Sequence, residues 1–288
     1  MKEEIEFTQN EYNDYISYKI SVDDLCKKYN QSKNQIDYQL KKFIKRHNLL
    51  NRRQIAQKNR NDNYFDNIDT NKKAYILGFF LSDGNICNNR LSFTQTESDA
   101  EILTQIRDEI YPTSNIRYIK EHKNKTTGYV SKPAQGLVIH SVHLCETLKK
   151  YFGTNKTYEE HSIKNIIPEK YMFDFIRGFF DGDGCISFSH ITRKSVLKNG
   201  NMSTYHNINK QWFIISYTKN ILDEICEYMN SNGINTYVIQ EKRGGNYLIN
   251  TSSYPEIKKI YNALYYNGCL CLERKKNKFE ELIKEMGD

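Results

Sequence analysis

The chain has 288 residues, enough for about two domains with real cores. Its 42 Lys and Arg outweigh 35 Asp and Glu, for a formal net charge of +7, and no apolar run approaches the length that spans a bilayer. With no signal peptide read at the start, this balance excludes a membrane protein and predicts a basic, cytoplasmic chain whose partner is acidic.

Three helix starts follow one another at the N-terminus. Thr8-Gln-Asn-Glu11, Ser21-Val-Asp-Asp24 and Ser32-Lys-Asn-Gln35 each have capping-box spacing. Val22, Leu25, Cys26 and Tyr29, then Ile36, Leu40, Phe43 and Ile44, recur at helical intervals, with a tight turn at Asn30-Gln31. Residues 1–46 thus resemble a helix-turn-helix domain whose third helix is the recognition helix. Lys33, Asn34, Gln35, Tyr38 and Gln39 would face the major groove, with Lys41, Lys42, Lys45 and Arg46 on phosphate. The alternative is a small helical bundle with a solvated basic face. From Lys27 to Arg60 there are eleven Lys and Arg against one acid, Asp37, a run that points to nucleic acid. Residues 47–71 read as a polar linker, with Arg52, Arg53, Lys58 and Arg60 forming an arm along DNA.

Next comes a phrase written twice. Ile76-Leu-Gly-Phe-Phe-Leu-Ser-Asp-Gly84 returns 100 residues later as Ile176-Arg-Gly-Phe-Phe-Asp-Gly-Asp-Gly184. Polar caps before each copy (Asp69 and Thr70; Pro168) favour a short buried helix, with a buried strand as the competing reading. Gly78 with Ser82, and Gly178 with Gly182, put small residues four apart on one helical face, which lets two backbones approach. The two helices are therefore expected to pack on each other as a seam between similar halves. Gly84 and Gly184 suit a left-handed helix end. Asp83 and Asp183 then sit in the last turn, where the helix dipole disfavours a carboxylate by roughly 0.3–1 kcal/mol, so a compensating cation is expected at both. An Asp-Gly turn signal is the plain alternative for either copy alone.

After each copy the order repeats. A strand pair (86–95; 185–217, with a long polar insertion at 189–210) precedes a helix starting near Ser98 or Asn220. Two further strands (115–120 with 136–141; 234–241 with 247–251) lead to a closing helix at 142–152 or 254–267. Gly244-Gly245 is a hairpin turn. Lys123 and Lys125, Arg193 and Lys194, and Lys242 and Arg243 mark basic loops. His140-x-x-His143 has no third metal ligand at a useful spacing and reads as structural. Asp181-Gly-Asp183-Gly lacks the glycine and glutamate of a calcium loop. The seven cysteines are an odd number, and Cys269-Leu-Cys271 has the wrong spacing for zinc, so they read as free thiols of a reducing compartment.

The paired phrases resemble the LAGLIDADG motif of homing endonucleases in its single-chain, two-motif form. The second copy, from Ile167-Pro168-Glu169-Lys170-Tyr171 to Phe179-Phe180-Asp181-Gly182-Asp183-Gly184, is the closer match. The resemblance covers about residues 70–288. It implies an α+β fold of two pseudo-symmetric αββαββα units, at 72–160 and 161–288, whose sheets form a saddle in the DNA major groove beside the small all-α domain. It also implies a monomeric nuclease that uses Mg²⁺ (or Mn²⁺) held by Asp83 and Asp183, cuts both strands of a long specific site and leaves short 3′ overhangs. The backbone group that shares each metal is left unassigned. A basic residue near each site is expected to be Lys156 in the first half and Lys275 in the second, with Gln95 holding a metal-bound water. A transcription regulator and an intron RNA maturase are the alternatives on the same scaffold.

Overall fold

In the computed structural model, Thr8 and Ser21 cap the first two helices as their capping boxes require, each accepting from the backbone three residues on. The structure describes residues 5–17, 19–123, 126, 128, 130–153, 162–196, 202–241 and 244–287, apart from the side chains at 53, 56 and 57. The chain divides into two units, Met1–Asn61 and Asp62–Asp288.

The first unit contains α1 (Gln9–Ile16), α2 (Val22–Tyr29), α3 (Lys33–Arg46) and α4 (Arg52–Lys58). Phe7, Leu25, Ile36 and Leu40 form its core. Asn30 turns the chain between α2 and α3 at φ +50°. Ser32 makes no side-chain cap bond, so the third capping box does not form. Glu11 is buried, which opposes its ionisation, yet Lys28 (2.7 Å), the Tyr29 hydroxyl (2.6 Å) and Thr8 hold its carboxyl down at about 2.

The expected linker is not a separate piece. Its first part is α4, tied to the first unit by Arg52, while Tyr64, Phe65 and Ile68 are buried in the core of the second unit. Three apolar side chains in five residues overcame a composition that reads as loop.

In the second unit the order αββαββα occurs twice. The first half is α5 (Asn71–Asp83), β1 (Gly84–Cys87), β2 (Arg90–Thr96), α6 (Glu101–Ile110), β3 (Ile116–Ile119), the short pair β4 (His122–Lys123) and β5 (Val130–Ser131), β6 (Ala134–His140) and α7 (Val142–Phe152). The second half is α8 (Met172–Asp183), β7 (Gly184–Val196), β8 (Met202–Ser216), α9 (Lys219–Ser231), β9 (Val238–Gln240), β10 (Tyr247–Thr251) and α10 (Tyr254–Leu264), with an added α11 (Glu273–Glu285). The antiparallel sheets have matching orders, β1-β2-β6-β3 and β7-β8-β10-β9. The hairpins differ greatly in length. The first turns at Asn88-Asn89, both at positive φ, after four residue pairs. The second is an unbroken ladder of thirteen, from Gly184–Ile214 to Val196–Met202, where a polar insertion was expected.

The seam follows from the glycines. A Cβ on Gly78 would lie 2.1 Å from the Phe175 carbonyl oxygen, and one on Gly178 would lie 2.0 Å from that of Tyr75. These contacts are images of each other, since Tyr75 and Phe175 are 100 residues apart. Gly84 and Gly184 are not left-handed, with φ −76° and −100°. They are required because a Cβ there would strike the Phe80 or Phe180 ring at 2.3 or 2.1 Å as the helix passes straight into a strand.

A buried polar cluster belongs to the second half alone. Arg177 is 1% exposed and donates to the carbonyls of Leu270 (2.7 Å) and Leu264 (2.6 Å) and to Asp174 (2.6 Å). Asp181, also 1% exposed, accepts from the Tyr75 hydroxyl and the Leu272 amide, both at 2.8 Å. The link between α10 and α11 is thereby bound to α8. Burial pushes the Asp181 carboxyl up to about 6, against the pull of Lys275 and these donors.

Two outcomes follow. Gly178→Ala forces two backbones apart and is expected to lower unfolding free energy by about 1–3 kcal/mol, measured by urea titration. Asp181 keeps its proton to about pH 6 in the folded chain but releases it near pH 4 when unfolded. The folded state therefore binds more protons in that window, and the contribution of Asp181 to stability falls as pH rises through it, by up to about 3 kcal/mol. Denaturation of Asp181→Asn across pH 4–7 should lack this component; an unchanged profile would refute it.

Candidate active site and nucleic-acid surface

The seam ends in two carboxylates. Asp83 and Asp183 are the last residues of α5 and α8, and both are partly exposed. A Cβ on Gly182 would lie 3.2 Å from Asp83 Cγ and 1.9 Å from Ser82 Oγ, so the first carboxylate rests against the last turn of the opposite helix. Gln95 Nε2 donates to Asp83 Oδ2 at 2.6 Å. Register explains why the second half has no such glutamine. Gly84 pairs with Phe93 and Gly184 with Ile214, so Ser216 stands where Gln95 does. Among the described residues no three His, Cys, Asp or Glu converge as a metal cage. Two carboxylates and an amide suit a hard divalent cation that keeps waters and takes substrate oxygens.

Lys275 lies behind the second carboxylate and is 5% exposed. Its Nζ donates to the carbonyls of Phe180 (2.7 Å), Asp181 (2.6 Å) and Gly184 (2.7 Å). Burial lowers its pKa, while Asp181 and Asp83 oppose that shift. An ammonium with three donors already on backbone carbonyls closes the end of α8 and offsets the helix dipole beneath Asp183. The Lys275 ammonium is thus a cation of the chain itself at this helix end. Beside it, Arg274 forms two bonds to Asp99, at 3.0 and 2.9 Å, tying α11 to the first half just beyond Gln95.

The other expected site residues scatter. Lys33, Asn34, Tyr38, Lys42 and Arg46 are exposed on α3, with Gln35 and Gln39 partly so. Gln39, Lys42, Phe43, Arg46 and His47 line a 340 Å³ groove with Ile5, Glu6, Phe7 and Gln9. The Arg52 guanidinium lies 3.6 Å from the Tyr15 ring centre and donates to the Tyr15 and Ile20 carbonyls, bracing the first unit. Arg53 is in α4. Lys123 (β4), Arg193 and Lys194 (β7) are exposed. Lys125, Lys156, Lys242 and Arg243 fall outside the described residues. His143 pairs with Asp66 at 2.7 Å, a structural contact as expected. Asp99 and Arg274 were missed because 175 residues separate them. The Asp174–Arg177 pair had a signal, opposite charges three apart in an apolar helix.

The sequence profile of the family described as LAGLIDADG endonuclease matches residues 176–286. An uncharacterized protein of Methanocaldococcus jannaschii, MJ0398, is 26% identical over 197 residues, covering 65% of this chain and 66% of the relative, just under two thirds of its length. Among solved structures, the homing endonuclease I-WcaI bound to its DNA recognition sequence has a TM-score of 0.48 at 16% identity, over 74% of this chain and 90% of that one. The LAGLIDADG meganuclease I-AabMI bound to uncleaved DNA has a TM-score of 0.47 at 12% identity, over 75% and 91%. The profile match covers less than half of the 288 residues, and it is this stretch, 176–286, with the second copy of the repeated motif, that is similar to LAGLIDADG endonucleases.

Proposed function

We propose that the chain is a monomeric, site-specific DNA endonuclease that cuts both strands using divalent metal, Mg²⁺ or Mn²⁺, held by Asp83 and Asp183. The observation that carries this reading is a pair of matched carboxylates, each the last residue of one helix of a glycine-packed seam, with Asp83 lying against Gly182 of the other helix. The two acids would hold the metal, with one acid serving each strand. When bound, such an ion activates water and neutralises charge on the phosphorane. Gln95 fixes one oxygen of Asp83, which orients that carboxylate, and it is the candidate for holding a metal-bound water. Lys275 keeps the end of α8 closed so that Asp183 stays in place.

Sequence would be read by the open faces of the two sheets. Residues 184–216 contain no Asp or Glu but carry Arg193, Lys194, Lys198 and Lys210, which suits a polyanion. A two-stranded ribbon has the width of a major groove. The first unit would add contacts as a helix-turn-helix domain, through Lys33, Asn34, Tyr38, Lys42 and Arg46 on α3.

Incubating the protein with a large duplex library and Mg²⁺, then sequencing the ends, is expected to reveal recurrent paired cuts. Asp83→Asn and Asp183→Asn should abolish them or leave nicks while duplex binding persists. Gln95→Ala should slow cutting about 10- to 100-fold. Selective binding without cuts would identify a regulator instead, and selective binding of structured RNA alone would identify a maturase.

A further inference from the structure

The two sheets have the same strand order and equivalent registers, so their open faces can be compared position by position. Thr94 pairs with Gly136, which pairs with Arg117. The equivalent row in the second half is Ile215, Leu248 and Ile239. These three lie side by side across β8, β10 and β9, each partly exposed, in a strip about 10 Å wide. They alternate with Ile214 and Ile249, which are fully buried on the helix side, so the strip is on the open face. One row further on, Cys185 and Phe213 stand where the first half has Asn85 and Ser92. Beyond these, the same face of the hairpin is mostly polar, with Ser187 opposite Gln211, Ser189 opposite Asn209, Ile191 opposite Asn207 and Arg193 opposite Tyr205.

An apolar strip that runs on into a basic, acid-free ribbon and starts where Asp183 ends is continuous with the surface assigned to DNA. Of the groups that base pairs present in the major groove, the thymine C5-methyl is the apolar one. Resting on the nuclease reading above, we infer that Ile215, Leu248, Ile239 and Phe213 read thymine methyl groups in the half-site bound by the second sheet. The first sheet, with Arg117 beside Gly136 in the matching row, has no such preference at the equivalent base pairs. The recognised site is thus unequal in its two halves.

Bound duplexes would be selected from a random library by the full chain in EDTA, and each thymine in the winning site replaced in turn by deoxyuridine, which removes the methyl alone. A run of thymines on one flank is expected, each replacement weakening binding about fourfold, the worth of one buried methyl group. Ile215→Ser and Leu248→Ser should each make thymine and uracil equivalent on that flank. Selective binding indifferent to every replacement, or a uracil penalty unchanged in both variants, would overturn this inference and leave the nuclease reading standing. Absence of any selective duplex binding would overturn both. The uracil series on the unaltered protein does not depend on how the variants fold.

Discussion

Everything at the candidate site depends on backbone meeting backbone where α5 crosses α8. Two helices that touch through side chains lie about 8–10 Å apart. Here Gly78 and Gly178 each leave room for a carbonyl oxygen within about 2 Å of where their Cβ would be. That approach brings the last turns together, so the Asp83 carboxyl lies against Gly182. A wider seam would leave two separate acids, each with an unfavourable helix dipole and no shared substrate. The Phe-Phe pairs reinforce the crossing from below: Phe80 packs near Phe93 and Phe152, and Phe180 near Trp212 and Phe279.

The symmetry stops at the backbone. Where the first half places Ala74, Leu77 and Leu81, the second has Asp174, Arg177 and Asp181, all buried. Buried charges of this kind add little net stability, because desolvation offsets their attraction, but they hold specific partners in register. Here they bind the α10–α11 link, which delivers Lys275 to the helix end and Arg274 to Asp99. The acid before Gly182 is thus an architectural residue of one half, while the acid after it is common to both.

Much of this was legible in the residues. The repeat located both seam helices, both carboxylates and the order of elements, because the same steric and polar demands recur in each half. Thr8 and Ser21 were readable because a capping box acts over three residues. The 189–210 ribbon was read as an insertion because its sequence beyond Ile191 is largely polar, which erases the alternation that marks a strand. Gly84 and Gly184 were misread for a different reason. Handedness is the usual local cause of a glycine at a helix end, and the aromatic rings that forbid a Cβ there belong to a packing arrangement that spacing does not reveal. The contacts of Lys275 and Arg274 lie beyond reading for the same reason, since their partners are 91 to 175 residues away.

The seam also sets the order of events at the ribosome. Ala74 to Leu81 is one continuous buried stretch, and its cover is α8, about 100 residues later. At about 5–20 residues per second of synthesis, the completed first half waits on the order of 5–20 s with its most apolar helix facing water. The side of α5 that meets α8 therefore stays open until the second half is made, and the second half is its lasting cover.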